Sequence, residues 1–375
     1  MQVNGVPISE AQVVELLPKL YQLCREHDIP ATFFELTTAL AFSFFAQQEC
    51  DVVVLETGLG GRLDATNVIQ YPALTCITSI GLEHTRILGD TVELIAREKA
   101  GILKKGRPVV CGPDVPHETI LECVQEVGAG RYYLPDTVLE SQIDRKITDY
   151  DLQNQRISKA CLVLLRDMYP DLLTGLTEED MDQGVVIRPP CRFEELTAGE
   201  GVNVILDVAH NPQAMEYLVD KLRATYPDSK FRFVIGMSSD KDLKQCGDSI
   251  GTILTSPSSV HLIQAAHPRA AAIEAILEAN PEWTGSVHYD LEDRSITKQV
   301  HSALELAAKE NEMLVVCGSV FVMAEAREAL GIDEPRDSDF IAEMAGAGVR
   351  HGQENFGNTP MSDDENEDDD DKAKK

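Results

Sequence analysis

Asp51-Val-Val-Val-Leu-Glu56-Thr-Gly58-Leu-Gly60-Gly61-Arg62-Leu63-Asp64-Ala65-Thr66-Asn67 is the stretch from which the fold is first read. A short β-branched run predicts a buried strand, and the acid and glycines that follow predict a tight turn at its carboxyl end. Glycines in such a turn let backbone N–H groups approach an anionic ligand closely. Glu56, at the strand end, is placed to bind a hard cation. Taken generically, a strand running into a Gly-rich turn is also what an ordinary structural turn looks like.

Outward from this stretch the pattern is helix and strand in alternation. Upstream, Ser9 with Gln12 and Thr32 with Glu35 are capping-box pairs, which predict helices over 10–26 and 33–48. Downstream, strands are expected at 74–79 and 108–111, with a helix over 91–103 between them. The segment 128–150 carries no clear period, a helix at 151–168 closes the first half, and 180–184 with Pro189-Pro190 reads as a linker. In the second half, strands at 204–206, 231–236, 260–264, 287–289 and 313–317 alternate with helices over 212–224, 241–254, 269–279, 293–310 and 320–330. Apolar strands alternating with helices specify a parallel α/β sheet, and the second half reads as a doubly wound, Rossmann-like domain. Ligands of such sheets bind at the carboxyl ends of the strands. The polar clusters sit there: Glu56, His84, Asp207-Val-Ala-His210-Asn211, 238–242 and Gly318-Ser319.

Composition narrows the function classes. A net charge of −30 over 375 residues opposes nonspecific binding to nucleic acid, and no apolar run is long enough to span a membrane. Nine cysteines occur singly with no Cys-x-x-Cys, the pattern of reduced thiols. Residues 363–371 hold eight acids, so 344–375 is expected to be a disordered acidic tail, within which Ser362 precedes an acidic cluster. The expected organisation is 1–184, 185–343 and that tail.

As a whole string, 56–67 resembles a signature of folylpolyglutamate synthases, acid-x-Gly-x-Gly-Gly-x-x-Asp, residue for residue. The step from His84 to Lys99, Arg192-Phe-Glu194, Leu206-Asp207-Val-Ala-His210-Asn211-Pro212, Asp240-Lys-Asp242, His267-Pro-Arg269-Ala270 and Cys317-Gly-Ser319 resemble further motifs of that family in order. The resemblance to the folylpolyglutamate/dihydrofolate synthases of the Mur-ligase superfamily implies an α/β fold of two parts. The first is a Mur-ligase-like, parallel-sheet central domain and the second a Rossmann-like C-terminal ligase domain. It implies ATP-dependent amide formation between a folate or dihydropteroate carboxylate and L-glutamate, by way of an acyl phosphate. It also implies Mg²⁺ held by Glu56, His84 and a carbamylated Lys99; ATP contacts from Arg192, Asp207 and Asn211; catalytic roles for Lys99, His84 and His210; and Leu63, Asp64 and Ala65 lining the pterin. A cytoplasmic monomer is implied, with a mitochondrial form if an N-terminal extension carried a transit peptide.

The sequence departs from the family in places. It contains no Gly-x-x-x-x-Gly-Lys-Ser/Thr or Gly-x-x-Gly-Lys-Ser/Thr, the loop that cradles ATP phosphates, and the resemblance begins inside the family pattern. A central domain lacking its P-loop strand and helix is therefore expected, with no ligase turnover from this sequence alone. Cys191 and Val208 stand where the family has glycine, and Asn154-Gln-Arg-Ile-Ser158 replaces the motif of an ATP-contacting helix. The rival reading is a non-catalytic relative that binds folate or nucleotide as a regulatory protein.

Overall fold

The computed structural model describes residues 1–141 and 149–332. The expected acidic tail and Ser362 lie outside the described residues. The chain divides into two compact units, Met1–Ile187 and Arg188–Lys375.

The first unit opens with β1 (Gln2–Val3) and β2 (Val6–Pro7), an antiparallel pair turned by Asn4 and Gly5, both at positive φ. Asn-Gly suits that turn because both residues tolerate the left-handed region. Helices α1 (Glu10–Glu26) and α2 (Phe33–Gln47) each start on the expected capping box, Ser9/Gln12 and Thr32/Glu35. They pack on each other through Leu16, Leu40 and Phe44. Strands β3 (Thr75–Ile77), β4 (Val109–Cys111) and β5 (Tyr132–Tyr133) form a parallel sheet in that order.

The crossover elements are α3 (Thr85–Leu88), α4 (Val92–Ala100) and α5 (His117–Val127), followed by α6 (Pro135–Val138), α7 (Tyr150–Met168) and α8 (Glu178–Val185). Residues of α4 and α5 join Ile77, Val109 and Cys111 in one core. Ile157 and Leu164 of α7 pack with Val110 in another. The alternation of Val109 and Cys111 against Val110 is the two-residue period of a sheet covered on both faces.

Two expectations fail here. Residues 51–56 form no strand: among the described residues, the backbone of 51–57 makes no backbone hydrogen bond, and Val54 is 90% exposed. A β-branched run becomes a strand only where a neighbour takes up its N–H and C=O groups, and the sheet's pairing stops at β3. The 180–184 stretch is no linker but the body of α8, opened by a capping box between Thr177 and Asp180.

The second unit is the doubly wound half. β6 (Glu194–Ala198), β7 (Val202–Leu206), β8 (Phe231–Ile235), β9 (Val260–Leu262) and β10 (Met313–Cys317) form one sheet in the order β6-β7-β10-β8-β9. All pairings are parallel except the edge pair β6–β7. Helices α9 (Pro212–Thr225), α10 (Leu243–Gly251) and α11 (Ile273–Ala279) cover the face carrying Phe231, Phe233, Ile235, Val315 and Cys317. Helices α12 (Ile296–Glu310) and α13 (Met323–Ala329) cover the face carrying Val204, Leu206, Val234, Leu314 and Val316. The expected strand at 287–289 reduces to one bridge, His261 to His288. All nine cysteines are free.

Candidate active site

Each unit presents a polar cluster: in the second it lies beyond the carboxyl ends of the strands, and in the first it is a loop seated on the end of α4. In the first, the loop 58–67 is organised by Asp64. Its Oδ2 accepts from the amides of Gly58 (2.8 Å) and Leu59 (2.9 Å), and its Oδ1 accepts from the amide (2.9 Å) and hydroxyl (2.6 Å) of Thr66. Burial pushes this carboxyl up, but the Thr66 hydroxyl and the three amides outweigh it and hold the group below the usual carboxylate range.

The loop sits on the end of α4. Arg62 donates its amide to the Glu98 carbonyl (2.9 Å) and its guanidinium to the Glu98 carboxylate (3.0–3.2 Å). Asn67 Nδ2 donates to the Gly101 carbonyl at 2.9 Å. The glycines are there because nothing larger fits. A Cβ on Gly61 would lie 2.8 Å from the Lys99 carbonyl, one on Gly60 would lie 2.9 Å from Leu88 Cδ2, and one on Gly101 would lie 2.3 Å from Arg62 Cα.

These contacts place the loop that follows Glu56 against the end of α4, which carries Lys99, and beside Leu88 of α3. His84 precedes α3 at φ 52° without a side-chain capping hydrogen bond, Lys99 is half-buried on α4, and Glu56 is exposed with no hydrogen bond or ion pair among the described residues. No group of three or more His, Cys, Asp and Glu side chains able to hold a metal occurs among the described residues. The donors present still fit Mg²⁺, which binds through one or two carboxylates and fills its other positions with phosphate oxygens and water. Leu63, expected to line a substrate, is 79% exposed; Asp64 is buried in its own loop, and Ala65 begins a 3₁₀ turn.

In the second unit, Asp207 follows β7 and its two oxygens accept from Phe193 and Ala209 amides, each at 2.8 Å. Burial pushes this carboxyl up despite those two amides and the nearby Arg192 and Lys221. Asn211 Oδ1 accepts from Ala214 N at 2.7 Å and so caps α9, with Pro212 at its first position. Asp207 and Asn211, expected to reach ATP, thus spend these oxygens on backbone. His210 Nδ1 lies 2.8 Å from the Val208 carbonyl, which can only accept, so Nε2 carries the free lone pair in the neutral ring. Arg192 is exposed.

Beside these lie features to which the sequence reading gave no role. Ser238 and Ser319, both buried, approach to 3.4 Å across the ends of β8 and β10. The His267 ring stacks on Phe321 with centroids 3.6 Å apart, and Arg269 pairs with Asp240 at 3.1 Å. The motifs around 240–242 and 267–270 signalled some of this; nothing in the sequence signalled Phe321 or the ion pair of Arg327 with Glu194.

Residues 191–320 match the Mur ligase glutamate ligase domain. The chain is 33% identical over 325 residues to the dihydrofolate synthase/folylpolyglutamate synthase of Escherichia coli K12, a match covering 81% of this chain and 70% of that protein. The structure resembles E. coli FolC in complex with DHPP and ADP (TM-score 0.69, 28% identity, 88% of this chain and 78% of that one). It also resembles the bifunctional folylpolyglutamate synthase/dihydrofolate synthase of Yersinia pestis complexed with AMPPNP and Mn (TM-score 0.68, 31% identity, 88% and 78%). By these matches the chain belongs to the dihydrofolate synthase/folylpolyglutamate synthase family of Mur ligases.

Proposed function

We propose that this protein joins L-glutamate to the carboxylate of a folate or dihydropteroate, with MgATP as the activating substrate. The observation that carries this reading is the Arg192 turn. It holds an exposed guanidinium beyond the carboxyl end of β7, against the 207–209 segment, within the stretch that matches a glutamate ligase domain.

In the proposed reaction the substrate carboxylate attacks the γ-phosphorus, the bond to ADP breaks, and an acyl phosphate forms. The glutamate amine, having lost a proton, attacks the acyl carbon, and phosphate leaves. Arg192 opposes phosphate oxygens with a planar fork that matches them. His210, its Nδ1–H committed to the Val208 carbonyl, offers Nε2 to the proton of the glutamate ammonium. The N-terminus of α9, beginning at Pro212, favours an anion nearby.

In the first unit, Glu56, His84 and a carbamate on Lys99 would hold Mg²⁺. Bound there, the cation screens the charge of the phosphates. Leu63 and Ala65 face the pterin, and Asp64 keeps the loop in shape for it. The protein acts as a cytoplasmic monomer without nucleic acid or membrane contacts; no helix of the described residues is long and apolar enough to cross a membrane.

A second reading is a nucleotide- or folate-binding relative without turnover. Calorimetry of MgADP binding tests the Arg192 role under both readings. Arg192→Ala is expected to weaken binding by about tenfold or more, the worth of a charge-assisted hydrogen bond, with partial recovery in Arg192→Lys. Unchanged affinity in Arg192→Ala would remove the nucleotide from this turn.

A further inference from the structure

Arg192 stands between two residues in the left-handed backbone region, Cys191 at φ 60° and Phe193 at φ 49°. Neither is a glycine, asparagine or aspartate, the types that enter this region readily. A strained turn of this kind persists only where its surroundings over-determine it, and here the restraints are visible.

The Cys191 amide donates to Glu194 Oε2 at 2.8 Å, the Phe193 amide donates to Asp207 Oδ2 at 2.8 Å, and the Cys191 carbonyl accepts from the Val208 amide at 3.0 Å. Glu194 is in turn ion-paired with Arg327 of α13, the arginine side chain only 12% and the glutamate side chain 27% exposed. The two partners are 133 residues apart in sequence, so this pair ties α13 to the turn. Burial pushes the Glu194 carboxyl up, but Arg327 and the Cys191 amide hold it below the usual range, so the oxygen facing Cys191 is ionised at neutral pH.

We propose that Arg327, acting through Glu194, is a positioning residue for Arg192: the ion pair fixes the acceptor of the Cys191 amide, and the strained turn then presents the Arg192 guanidinium to nucleotide phosphate. The inference rests on the reading of Arg192 as a phosphate contact. Without Arg327, the half-buried Glu194 carboxylate has no counter-charge and turns toward water. The Cys191 amide then loses its acceptor and the residue relaxes out of the left-handed region, while the Val208 amide still holds the Cys191 carbonyl and Asp207 still holds Phe193.

The test combines amide exchange of the ligand-free protein with a binding cycle. Arg327→Met is expected to speed exchange at Cys191 by about tenfold or more, with β8 and β10 unchanged, as local rather than global opening requires. The same variant should weaken MgADP binding about tenfold, yet do nothing further in an Arg192→Ala background, because a residue acting through Arg192 has no effect once Arg192 is gone. Glu194→Gln, which keeps the shape of the side chain, should give the same localised exchange; it decides the matter if Arg327→Met loosens the whole unit. Unchanged exchange at Cys191 in a folded variant, or additive losses in the cycle, would overturn the proposal. A wild-type protein that binds no MgADP would instead overturn the nucleotide reading, an outcome distinguishable from additivity.

Discussion

Alanine at Gly101 and alanine at Gly184 are the same chemical change, and the structure gives them opposite signs. Neither position has the positive φ that penalises a side chain, and Gly101 itself is helical at φ −59° and ψ −12°. At Gly184, inside α8, a Cβ meets nothing within 4 Å. Alanine there gains about 0.5–1 kcal/mol from helix propensity and a less flexible unfolded chain. The same gain is available at Gly101, but its Cβ would lie 2.3 Å from both Arg62 Cα and Cβ, and 2.7 Å from Arg62 N. Main chain cannot rotate aside as a side-chain tip can, so the loop must lift. That adds about 1–3 kcal/mol of overpacking. It also strains two hydrogen bonds, Arg62 N to Glu98 O and Asn67 Nδ2 to Gly101 O, both 2.9 Å long and worth about 1 kcal/mol each. The net expectation for Gly101→Ala is a loss of about 2–4 kcal/mol. The single tryptophan, Trp283, belongs to the second unit, so its fluorescence in urea is the internal control. The first unit is followed by amide exchange in β4. A Gly101→Ala protein as stable as wild type would refute the seating of the 58–67 loop on α4.

Two further outcomes follow from buried polar groups. His261 is fully buried and its pKa is pushed down to about 4, chiefly by burial. The unfolded chain therefore takes up a proton near pH 6.5 that the folded chain refuses until about pH 4, and stability should fall by up to about 3 kcal/mol as pH drops through that window. Urea titrations read by Trp283 fluorescence should show this slope flattened in His261→Gln; an equal slope would assign the loss to other groups. Asp64→Ala removes the acceptor of four hydrogen bonds and should destabilise the first unit by about 2–4 kcal/mol, with Asp64→Asn intermediate. A first-unit exchange profile unaltered in Asp64→Ala would show that the loop holds itself without that carboxylate.

The parts of the fold legible in the sequence are those whose burial is local and continuous. Val109–Cys111 and Met313–Cys317 are apolar throughout, Phe231–Ile235 is apolar but for Arg232, and all three lie inside sheets; the capping boxes at Ser9 and Thr32 need only their own helix to form. The misses depend on a neighbour. The 51–56 run has strand composition without strand pairing, and β6, Glu194–Ala198, has pairing without strand composition because an edge strand needs few apolar residues. The box at Thr177 and Asp180 was available to reveal α8, but an acidic stretch near two prolines read as a linker.

For the site, the motifs named loops and residue types and not which way their polar atoms point. Asp64, Asp207 and Asn211 carry the residue types that ligand contacts require, yet the same oxygens serve backbone amides equally well. Only the tertiary structure decides between those uses. The Arg327–Glu194 pair spans β6 to α13 and leaves no trace at any local spacing.

Incorporation of isotope-labelled glutamate into dihydropteroate tests the glutamate ligase activity most directly. Two polypeptides are compared: the 375-residue sequence as it stands, and the same sequence preceded by a relative's Gly-x-x-Gly-Lys-Gly-Ser segment. The extended chain should yield a glutamylated product that requires both ATP and Mg²⁺ and is strongly reduced by Arg192→Ala. The unextended chain should show no measurable turnover, since one oxyanion-type donor alone is worth about 10²–10³ in rate and a phosphate loop supplies several. A folded, ADP-binding extended chain that makes no glutamylated product, or equal turnover from both polypeptides, would contradict the account.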